Sequence, residues 1–182
     1  MTEIEKLLNN LEYNCQDKSI TDAIDNCRHL TKKYNSTSGD LLHLAKKIFL
    51  EFGEESCITP PINIDFGKNT TIGSNVFINY NVTILDCARV TIGDNVFIGP
   101  NVSLYTPIHP LDFKTRNEGV ENGKCITICD NVWLGGNVVV LPGVTIGAGS
   151  VIGAGSVVDK DIPENVLAFG NPCIIRKTID QK

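Results

Sequence analysis

Aliphatic side chains recur every six residues over much of the chain, and this period limits the possible folds more than any other feature. Isoleucine, leucine and valine supply 50 of the 182 residues, so twelve aliphatic residues at twelve such positions would occur by chance at roughly 10⁻⁷. A period of six fits neither an α-helix nor a long amphipathic strand. It is typical of a hexapeptide β-solenoid, in which stacked coils of short strands share one core. The twelve positions are Ile72, Ile78, Ile84, Ile92, Ile98, Leu104, Ile128, Leu134, Val140, Ile146, Ile152 and Val158.

Residues that suit the corners of such coils accompany the repeat. Small residues usually stand four positions after each aliphatic residue, for example Val76, Ala88 and Ser150. Pairs such as Asp94-Asn95 and Asp130-Asn131 supply side chains that tolerate left-handed backbone, as a tight corner requires. Both features support the solenoid.

Composition and charge exclude several classes of function. The length of 182 residues and the 42% apolar content suit one domain with a modest attachment. The net charge of −5 offers no basic surface to phosphate backbones, so we expect no nucleic-acid partner. The first residues lack the basic start and apolar stretch of a signal peptide, and no apolar run approaches ~18 residues. We therefore expect a soluble, cytoplasmic protein without membrane contacts.

The cysteines argue against a metal site. The chain has seven of them, an odd number without a Cys-x-x-Cys pair, and reduced thiols in a cytosolic protein are the simplest account. Cys125 and Cys129 resemble half of a zinc site, but no second pair or nearby histidine completes four ligands. We expect no metal.

Three segments precede, interrupt and follow the repeat. Residues 1–58 are predicted to form a helical segment, because their apolar residues follow a helical period. The solenoid is predicted over residues 59–160, with a loop excursion at 105–124 that is rich in proline, glycine and charge. A loop of about 20 residues inside a compact repeat is more often functional than accidental. Residues 161–182 are predicted to form a C-terminal extension.

One of the three histidines lies where the solenoid gives way to its loop. His109 stands between Pro107 and Pro110, which restrict the backbone around it. An imidazole titrates near neutral pH and can accept a proton from a hydroxyl group. His29 and His43 lie off the apolar stripes of predicted helices, so we expect them to be solvated. From residue type and position alone, His109 is either a solvated histidine or a catalytic base.

Four stretches carry more specific information than the hexad, which many acyl- and sugar-modifying proteins share. They are Pro60-Pro61-Ile62-Asn63-Ile64-Asp65-Phe66-Gly67, Ile78-Asn79-Tyr80-Asn81, Tyr105-Thr106-Pro107-Ile108-His109-Pro110 and Asn131-Val132-Trp133-Leu134-Gly135-Gly136. With Leu11-Glu12-Tyr13 near the start and Gly170-Asn171-Pro172-Cys173 near the end, they resemble the maltose and galactoside O-acetyltransferases over the whole chain. The combination of the histidine-proline loop with the tryptophan-glycine-glycine coil is the most specific part of this resemblance.

The resemblance implies a fold, an activity and an assembly. The fold is a mainly-β, left-handed parallel β-helix with an N-terminal α-helical segment. The activity is transfer of an acetyl group from acetyl-CoA, as co-substrate, to a sugar hydroxyl of maltose, glucose or galactoside type. The family also implies a homotrimer with three active sites between adjacent subunits. Left-handedness comes from the family alone, since general physics favours right-handed parallel crossovers.

The resemblance also assigns roles at the reacting centre. His109 resembles the general base that removes a proton from the sugar hydroxyl as its oxygen attacks the thioester. Asn79 resembles a catalytic residue near both the acceptor and the acetyl group, although a corner asparagine is the alternative. Asp65 stands where the family contacts the acceptor. The N–H of Gly136 corresponds to a donor that faces the thioester oxygen and stabilises the oxyanion.

Further residues match positions around coenzyme A. Trp133 corresponds to a residue near the pantetheine arm, although packing on a coil face would also explain it. The positions that line the coenzyme A channel by resemblance are Ala154, Asp159, Lys160 and Lys177, and the lysines suit its phosphates. Either lysine could equally be an ordinary solvated charge.

Three departures from the family pattern bear on specificity. Cys87 stands where relatives often carry an acidic residue that touches the acceptor, which leaves Asp86 as its acidic neighbour, and the resemblance assigns both positions to the acceptor. Asn14 follows Tyr13 where many relatives have aspartate. Ile174 replaces a common basic residue near the coenzyme A tail, a loss for which Arg176 would compensate.

Other functions stay open at this point. A hexapeptide acetyltransferase for a non-sugar hydroxyl or an amine is one, although serine acetyltransferases carry a much larger helical N-terminus. A γ-carbonic-anhydrase-like solenoid needs three zinc-binding histidines on its coils, and His109 alone is available. A non-enzymatic trimeric scaffold is a further alternative, but it does not explain the long loop.

Overall fold

The chain passes in rotation through three sheets of parallel strands, although the last strand of one sheet, Ile174–Thr178, is antiparallel to its neighbour. The computed structural model describes residues 1–181. Face 1 contains the strands Glu51–Phe52, Thr70–Ile72, Val90–Ile92, Ile126–Ile128 and Thr145–Ile146. Face 2 contains Cys57–Ile58, Phe77–Ile78, Phe97–Ile98, Trp133–Leu134, Val151–Ile152, Val166–Phe169 and Ile174–Thr178. Face 3 contains Ile62–Ile64, Val82–Leu85, Ser103–Tyr105, Val139–Val140 and Val157–Val158. The result is a β-solenoid of about six turns, which confirms the predicted fold class.

The aliphatic residue of each hexad points into the solenoid and stacks on its counterpart in the next coil. Ile78 pairs with Ile98, Ile98 with Leu134, and Leu134 with Ile152 along face 2. All twelve aliphatic residues of the repeat are at most 2% exposed. Burial of each such side chain contributes ~1.5–3 kcal/mol, so the repeat itself stabilises the fold.

Asparagines turn the corners, as the sequence predicts. Asn75, Asn95 and Asn131 adopt positive φ angles of 55°, 56° and 59°. Neighbouring corners are tied together, because the carboxylate of Asp94 accepts from the N–H of Ser74 at 2.7 Å. The corners therefore stack in register with the strands.

Within residues 1–181, four helices accompany the solenoid: α1 (Glu3–Leu8), α2 (Lys18–Ser36), α3 (Leu42–Ile48) and α4 (Phe113–Asn117). The first three lie in the segment that the sequence predicts to be helical. The second helix packs against α3 and against the first strand of face 3. None of the helices within residues 1–181 has the length and apolarity needed to cross a membrane.

The excursion after face 3 forms a small antiparallel sheet, which we call the loop sheet. Its strands are Tyr13–Asn14, Val120–Gly123 and Pro107–Ile108, with the second in the centre. The ladders of the solenoid start at Glu51 and continue past residue 160, since Val166–Phe169 and Ile174–Thr178 extend face 2. Through the loop sheet, the strand Tyr13–Asn14 of the N-terminal segment pairs with the excursion, which lies far away in sequence.

Candidate active site

A groove of about 680 Å³ runs along the corner that follows the strands of face 2, and we call it the face-2 groove. Its residues include Phe77, Asn79, Phe97, Pro100, Trp133, Gly135, Gly136, Ala154 and Leu167. Four residues that the sequence assigns to the site thus come together, namely Asn79, Trp133, Gly136 and Ala154. The aromatic side chains of Phe97 and Trp133 are more than half exposed, at 53% and 55%. The groove is apolar and extends over successive coils of the solenoid.

Gly136 contributes a backbone donor to this groove. The N–H of Gly135 donates to Ile152 at 2.8 Å, and that of Asn137 donates to Pro100 at 2.9 Å. The N–H of Gly136 between them has no acceptor within residues 1–181. A preorganised N–H of this kind suits a developing oxyanion, because it needs no reorganisation during the reaction.

Asn79 is half-buried and held in one orientation. Its backbone N–H donates to Ile98 at 2.9 Å, and its side-chain oxygen accepts from the N–H of Tyr80 at 2.9 Å. The amide nitrogen makes no hydrogen bond within residues 1–181. Asn79 therefore offers a donor rather than an acceptor to a bound molecule.

Cations lie at the far end of the face-2 groove. In the last strand pair of face 2, Lys177 stands opposite Leu167, which lines the groove. The guanidinium of Arg176 lies 4.5 Å from the ring centroid of Phe169. Asp159 and Lys160 are exposed after the last strand of face 3 and do not line the groove. The predicted contacts of coenzyme A thus divide into Arg176 and Lys177, beside the groove, and Asp159 and Lys160, outside it.

His109 lies outside the face-2 groove. It follows the strand Pro107–Ile108 of the loop sheet and is 51% exposed. Its Nε2 stands 3.4 Å from a carboxylate oxygen of Glu121. Since the excursion leaves the coil after face 3 and the groove follows face 2, one chain does not bring His109 together with Asn79 and Gly136.

Glu121 is a functional candidate that the sequence interpretation did not single out. Its side chain is only 13% exposed, and it joins His109 to the buried hydroxyl of Tyr13, which donates to its other oxygen. Burial, followed by the hydrogen bond to Glu121, raises the pKa of Tyr13 far above its ordinary value. The sequence shows that Glu121 lies in the same excursion as His109, but it does not show that the strand carrying Glu121 pairs with Tyr13–Asn14.

Asp86 and Cys87, which the resemblance assigns to the acceptor, are both buried in this chain. Asp86 is fully buried, and its carboxylate accepts from the N–H of Phe66 and the hydroxyl of Thr70, each at 2.8 Å. Burial raises its pKa to about 6. Cys87 is 3% exposed, with its sulfur 3.4 Å from the hydroxyl of Thr106, and burial raises its pKa to about 12. Neither side chain reaches an open surface, so both belong to the interior.

Asp65 lies in a second, more polar groove of about 590 Å³ between α2 and face 3. One carboxylate oxygen stands 3.0 Å from the guanidinium of Arg28, and the Asp65 side chain is 22% exposed. The same groove contains Lys32, Asn63 and other polar residues of α2 and face 3. Asp65 is therefore accessible but already paired with a cation.

The part of the chain described here, residues 1–181, contains no group of three or more His, Cys, Asp or Glu side chains that could hold a metal ion. Its seven cysteines form no disulfides.

Two family models match the solenoid. The model of the bacterial transferase hexapeptide, with six repeats, matches residues 125–160. The model of the hexapeptide repeat of succinyl-transferase matches residues 89–109.

Named relatives and solved structures cover the chain more fully. A galactoside O-acetyltransferase of Lactococcus lactis is 45% identical over 156 residues, covering 83% of this chain and 75% of that protein. The structure of a maltose O-acetyltransferase from Clostridium difficile is 42% identical with a TM-score of 0.96, covering 100% of this chain and 99% of that one. A hexapeptide-repeat acetyltransferase from Vibrio cholerae, solved with acetyl coenzyme A, is 39% identical with a TM-score of 0.93 over 100% of both chains.

Proposed function

Because the chain belongs to the hexapeptide-repeat acetyltransferase family of the galactoside and maltose O-acetyltransferases, we propose that it transfers the acetyl group of acetyl-CoA to a sugar hydroxyl. The observation that carries the proposal is the face-2 groove, which joins an apolar aromatic wall to the N–H of Gly136. This combination suits an acyl thioester, because the pantetheine arm is largely apolar and the thioester oxygen needs a fixed donor.

Acetyl-CoA lies along the face-2 groove in this proposal. The pantetheine arm packs on Trp133 and crosses Ala154, both of which line the groove. Arg176 and Lys177 meet the phosphates at its far end, since cationic side chains form charge-assisted hydrogen bonds with phosphate. Asp159 and Lys160 are exposed on the neighbouring corner and contact the outer side of coenzyme A.

His109 acts as the general base of the reaction. It takes the proton of the sugar hydroxyl as that oxygen forms a bond to the thioester carbon. The carbonyl π bond opens, and the N–H of Gly136 and the amide of Asn79 stabilise the oxyanion. When the carbonyl re-forms, the carbon–sulfur bond breaks, and the leaving thiolate receives the proton from the imidazolium of His109.

Glu121 supports this base. Its carboxylate faces one nitrogen of His109 at 3.4 Å, so that nitrogen carries the proton and the other keeps its lone pair. The carboxylate also stabilises the imidazolium that forms when the hydroxyl proton is taken. Distances of this kind are often long in a ligand-free site and shorten on substrate binding.

The acceptor occupies the polar side of the site. Asp65 can accept hydrogen bonds from sugar hydroxyls, which suits a hydroxylated molecule better than an apolar one. Its ion pair with Arg28 orients the carboxylate. This arrangement also offers Arg28 as a donor, a contribution that the sequence did not predict.

The active site forms between two subunits of a homotrimer. His109 and the face-2 groove belong to different corners of one chain, so a second copy must bring the base to the thioester. The exposed side chains of Phe97 and Trp133 lie in the groove that such a neighbour would close. Closed cyclic symmetry repeats this arrangement three times.

The first test is turnover of acetyl-CoA, measured as released thiol, with maltose, glucose, methyl galactoside and two amines as acceptors. We expect turnover with the sugars and none with the amines. The variant His109→Ala should lower kcat by ~10²–10⁴ with little change in acetyl-CoA affinity. His43→Ala, at an exposed histidine of α3, is the matched control and should keep wild-type turnover.

Two results would contradict the proposal. Turnover confined to amines would replace the sugar with another acceptor class. A folded His109→Ala protein with near wild-type kcat would remove the histidine from the chemistry.

A further inference from the structure

The buried hydroxyl of Tyr13 has no part in the reaction as proposed above, yet it contacts the group that faces the base. Tyr13 is 3% exposed, and its ring packs in a small core with Leu7, Ile20 and Cys87. Its hydroxyl donates to one carboxylate oxygen of Glu121, while the other oxygen of that carboxylate faces His109. A phenylalanine would fill the same core, so the hydroxyl needs its own explanation.

The backbone fixes the same pairing. Tyr13 stands directly opposite Glu121 in the loop sheet, and Asn14 stands opposite Val120. The N–H of Cys15 donates to Gly119 at 2.8 Å, and the N–H of Asn14 donates to a carboxylate oxygen of Glu3 at 2.6 Å. Helix α1 and the excursion therefore hold this strand from both sides.

We infer that Tyr13 is a positioning residue, whose hydroxyl holds the carboxylate of Glu121 in the orientation that faces His109. A carboxylate with a single partner can rotate about its terminal bond, whereas one with two fixed partners cannot do so without losing a hydrogen bond. The N-terminal segment thereby contributes to the active site without touching the substrate. This inference rests on the proposed role of His109.

Tyr13 keeps its donor proton under all ordinary conditions. Its pKa is raised mainly by burial and also by the hydrogen bond to Glu121, so the phenol stays neutral where the enzyme would work. A neutral hydroxyl can donate to only one acceptor at a time, and here the acceptor is the carboxylate. The contact thus persists throughout a reaction cycle in which His109 changes its protonation state.

Tyr34 provides a matched control in the same chain. It is also buried, at 2% exposure, and its hydroxyl donates to the carbonyl of Ile58 at 2.8 Å. That contact ties α2 to the first coil and lies away from His109 and Glu121. Tyr34→Phe therefore removes a buried tyrosine hydroxyl that has a purely structural partner.

The test is a double-mutant cycle on thiol release with maltose, methyl galactoside and glucose as acceptor probes. Tyr13→Phe should lower kcat about tenfold, a part of the ~10²–10⁴ that a general base contributes, with the KM for acetyl-CoA within about twofold. Glu121→Gln keeps an acceptor for the Tyr13 hydroxyl and should fold, with kcat lowered ~10–100-fold. The double variant should be no slower than Glu121→Gln alone, because Tyr13 acts through the carboxylate.

The controls separate this inference from the proposed function. Tyr34→Phe should lower the melting temperature and leave kcat unchanged. If wild type turns over, depends on His109, and Tyr13→Phe keeps wild-type kcat, the positioning role is wrong while the function stands. If the reductions in kcat of the two single variants multiply in the double variant, Tyr13 acts independently of Glu121, and the positioning role is likewise wrong. Wild type without turnover on any of the three sugars would instead remove the proposed function.

Discussion

A carboxyl group in the interior is costly when it carries a charge, and Asp86 is such a group. Its oxygens accept from Phe66 and Thr70, and its backbone carbonyl accepts from the side chain of Asn69 at 2.8 Å. The two bonds to the carboxylate favour its ionised form, but burial outweighs them and raises the pKa from 3.8 to about 6. The negative charge of nearby Asp65 acts in the same direction.

This pKa predicts how stability changes with pH. A carboxyl group with a raised pKa in the folded state contributes stability below its unfolded pKa and loses that contribution as pH rises through about 6. The free energy of unfolding of the wild type, relative to Asp86→Asn, should therefore fall by roughly 3 kcal/mol between about pH 3.5 and pH 7. Urea denaturation of both proteins at several pH values measures the difference.

Asp25→Asn, at an exposed aspartate of α2, is the control for this measurement. Its stability relative to wild type should change little over the same range, because Asp25 is exposed and its substitution removes no buried carboxyl group. A difference between wild type and Asp86→Asn that is independent of pH would show that Asp86 does not titrate differently in the folded protein.

Individual residues of the repeat were predictable from sequence, whereas the environment of Asp86 and Cys87 was not. An aliphatic residue such as Ile98 recurs at a fixed spacing, and the spacing itself states which side faces inward. Asp86 is polar, and nothing in its local sequence reveals that Phe66 and Thr70 from the preceding coil supply its partners. The resemblance assigns the position to acceptor contacts, but burial in this chain depends on neighbours in space.

At the scale of elements, the loop sheet connects the N-terminus to the candidate base. Its central strand Val120–Gly123 carries Glu121, and the turn before it contains Gly119 with a φ angle of +81°. A Cβ added at Gly119 would lie 2.9 Å from the side-chain oxygen of Asn14. The turn therefore requires glycine, because its backbone angle is left-handed and because a Cβ would clash with Asn14.

Gly119→Ala should disturb this sheet locally. An L-residue at such a φ costs ~1–2 kcal/mol, and relief of the clash would move the central strand away from Tyr13. We expect kcat to fall about 3–10-fold with a small change in melting temperature, because the solenoid core is untouched. Gly39→Ala is the matched control, since Gly39 has a φ of +105° but nothing within 4 Å of an added Cβ. Equal kcat values for the two variants would mean that the turn does not position Glu121.

The elements differ in how far sequence could predict them. The strands on the three faces follow from a six-residue period that any single coil repeats. The loop sheet pairs Tyr13 with Glu121, which are far apart in sequence, and strands of two to four residues carry no periodic signal. The length of the excursion and the position of His109 indicate functional importance from the sequence alone, whereas the strand that pairs with the excursion is visible only in the structure.

At the scale of the whole molecule, the candidate site is divided between two corners of the solenoid. The face-2 groove carries Asn79 and Gly136, and the loop sheet carries His109. The proposed trimer unites them because a head-to-tail cyclic interface sets one corner of a chain against a different corner of its neighbour. Light scattering should accordingly give about three times the chain mass of 19.8 kDa.

Hybrid trimers test this division directly. His109→Ala and Asn79→Ala chains, co-expressed with different tags and purified on both, yield trimers that contain both kinds of chain. In every such trimer, one of the three interfaces joins an intact His109 from one chain to an intact groove from the other. The hybrid should therefore regain about one third of wild-type turnover, whereas either parent alone stays far below that level. A trimer of the expected mass whose turnover stays at the parental level would mean that each site lies within one chain. A monomeric, active enzyme would overturn both the assembly and the shared site.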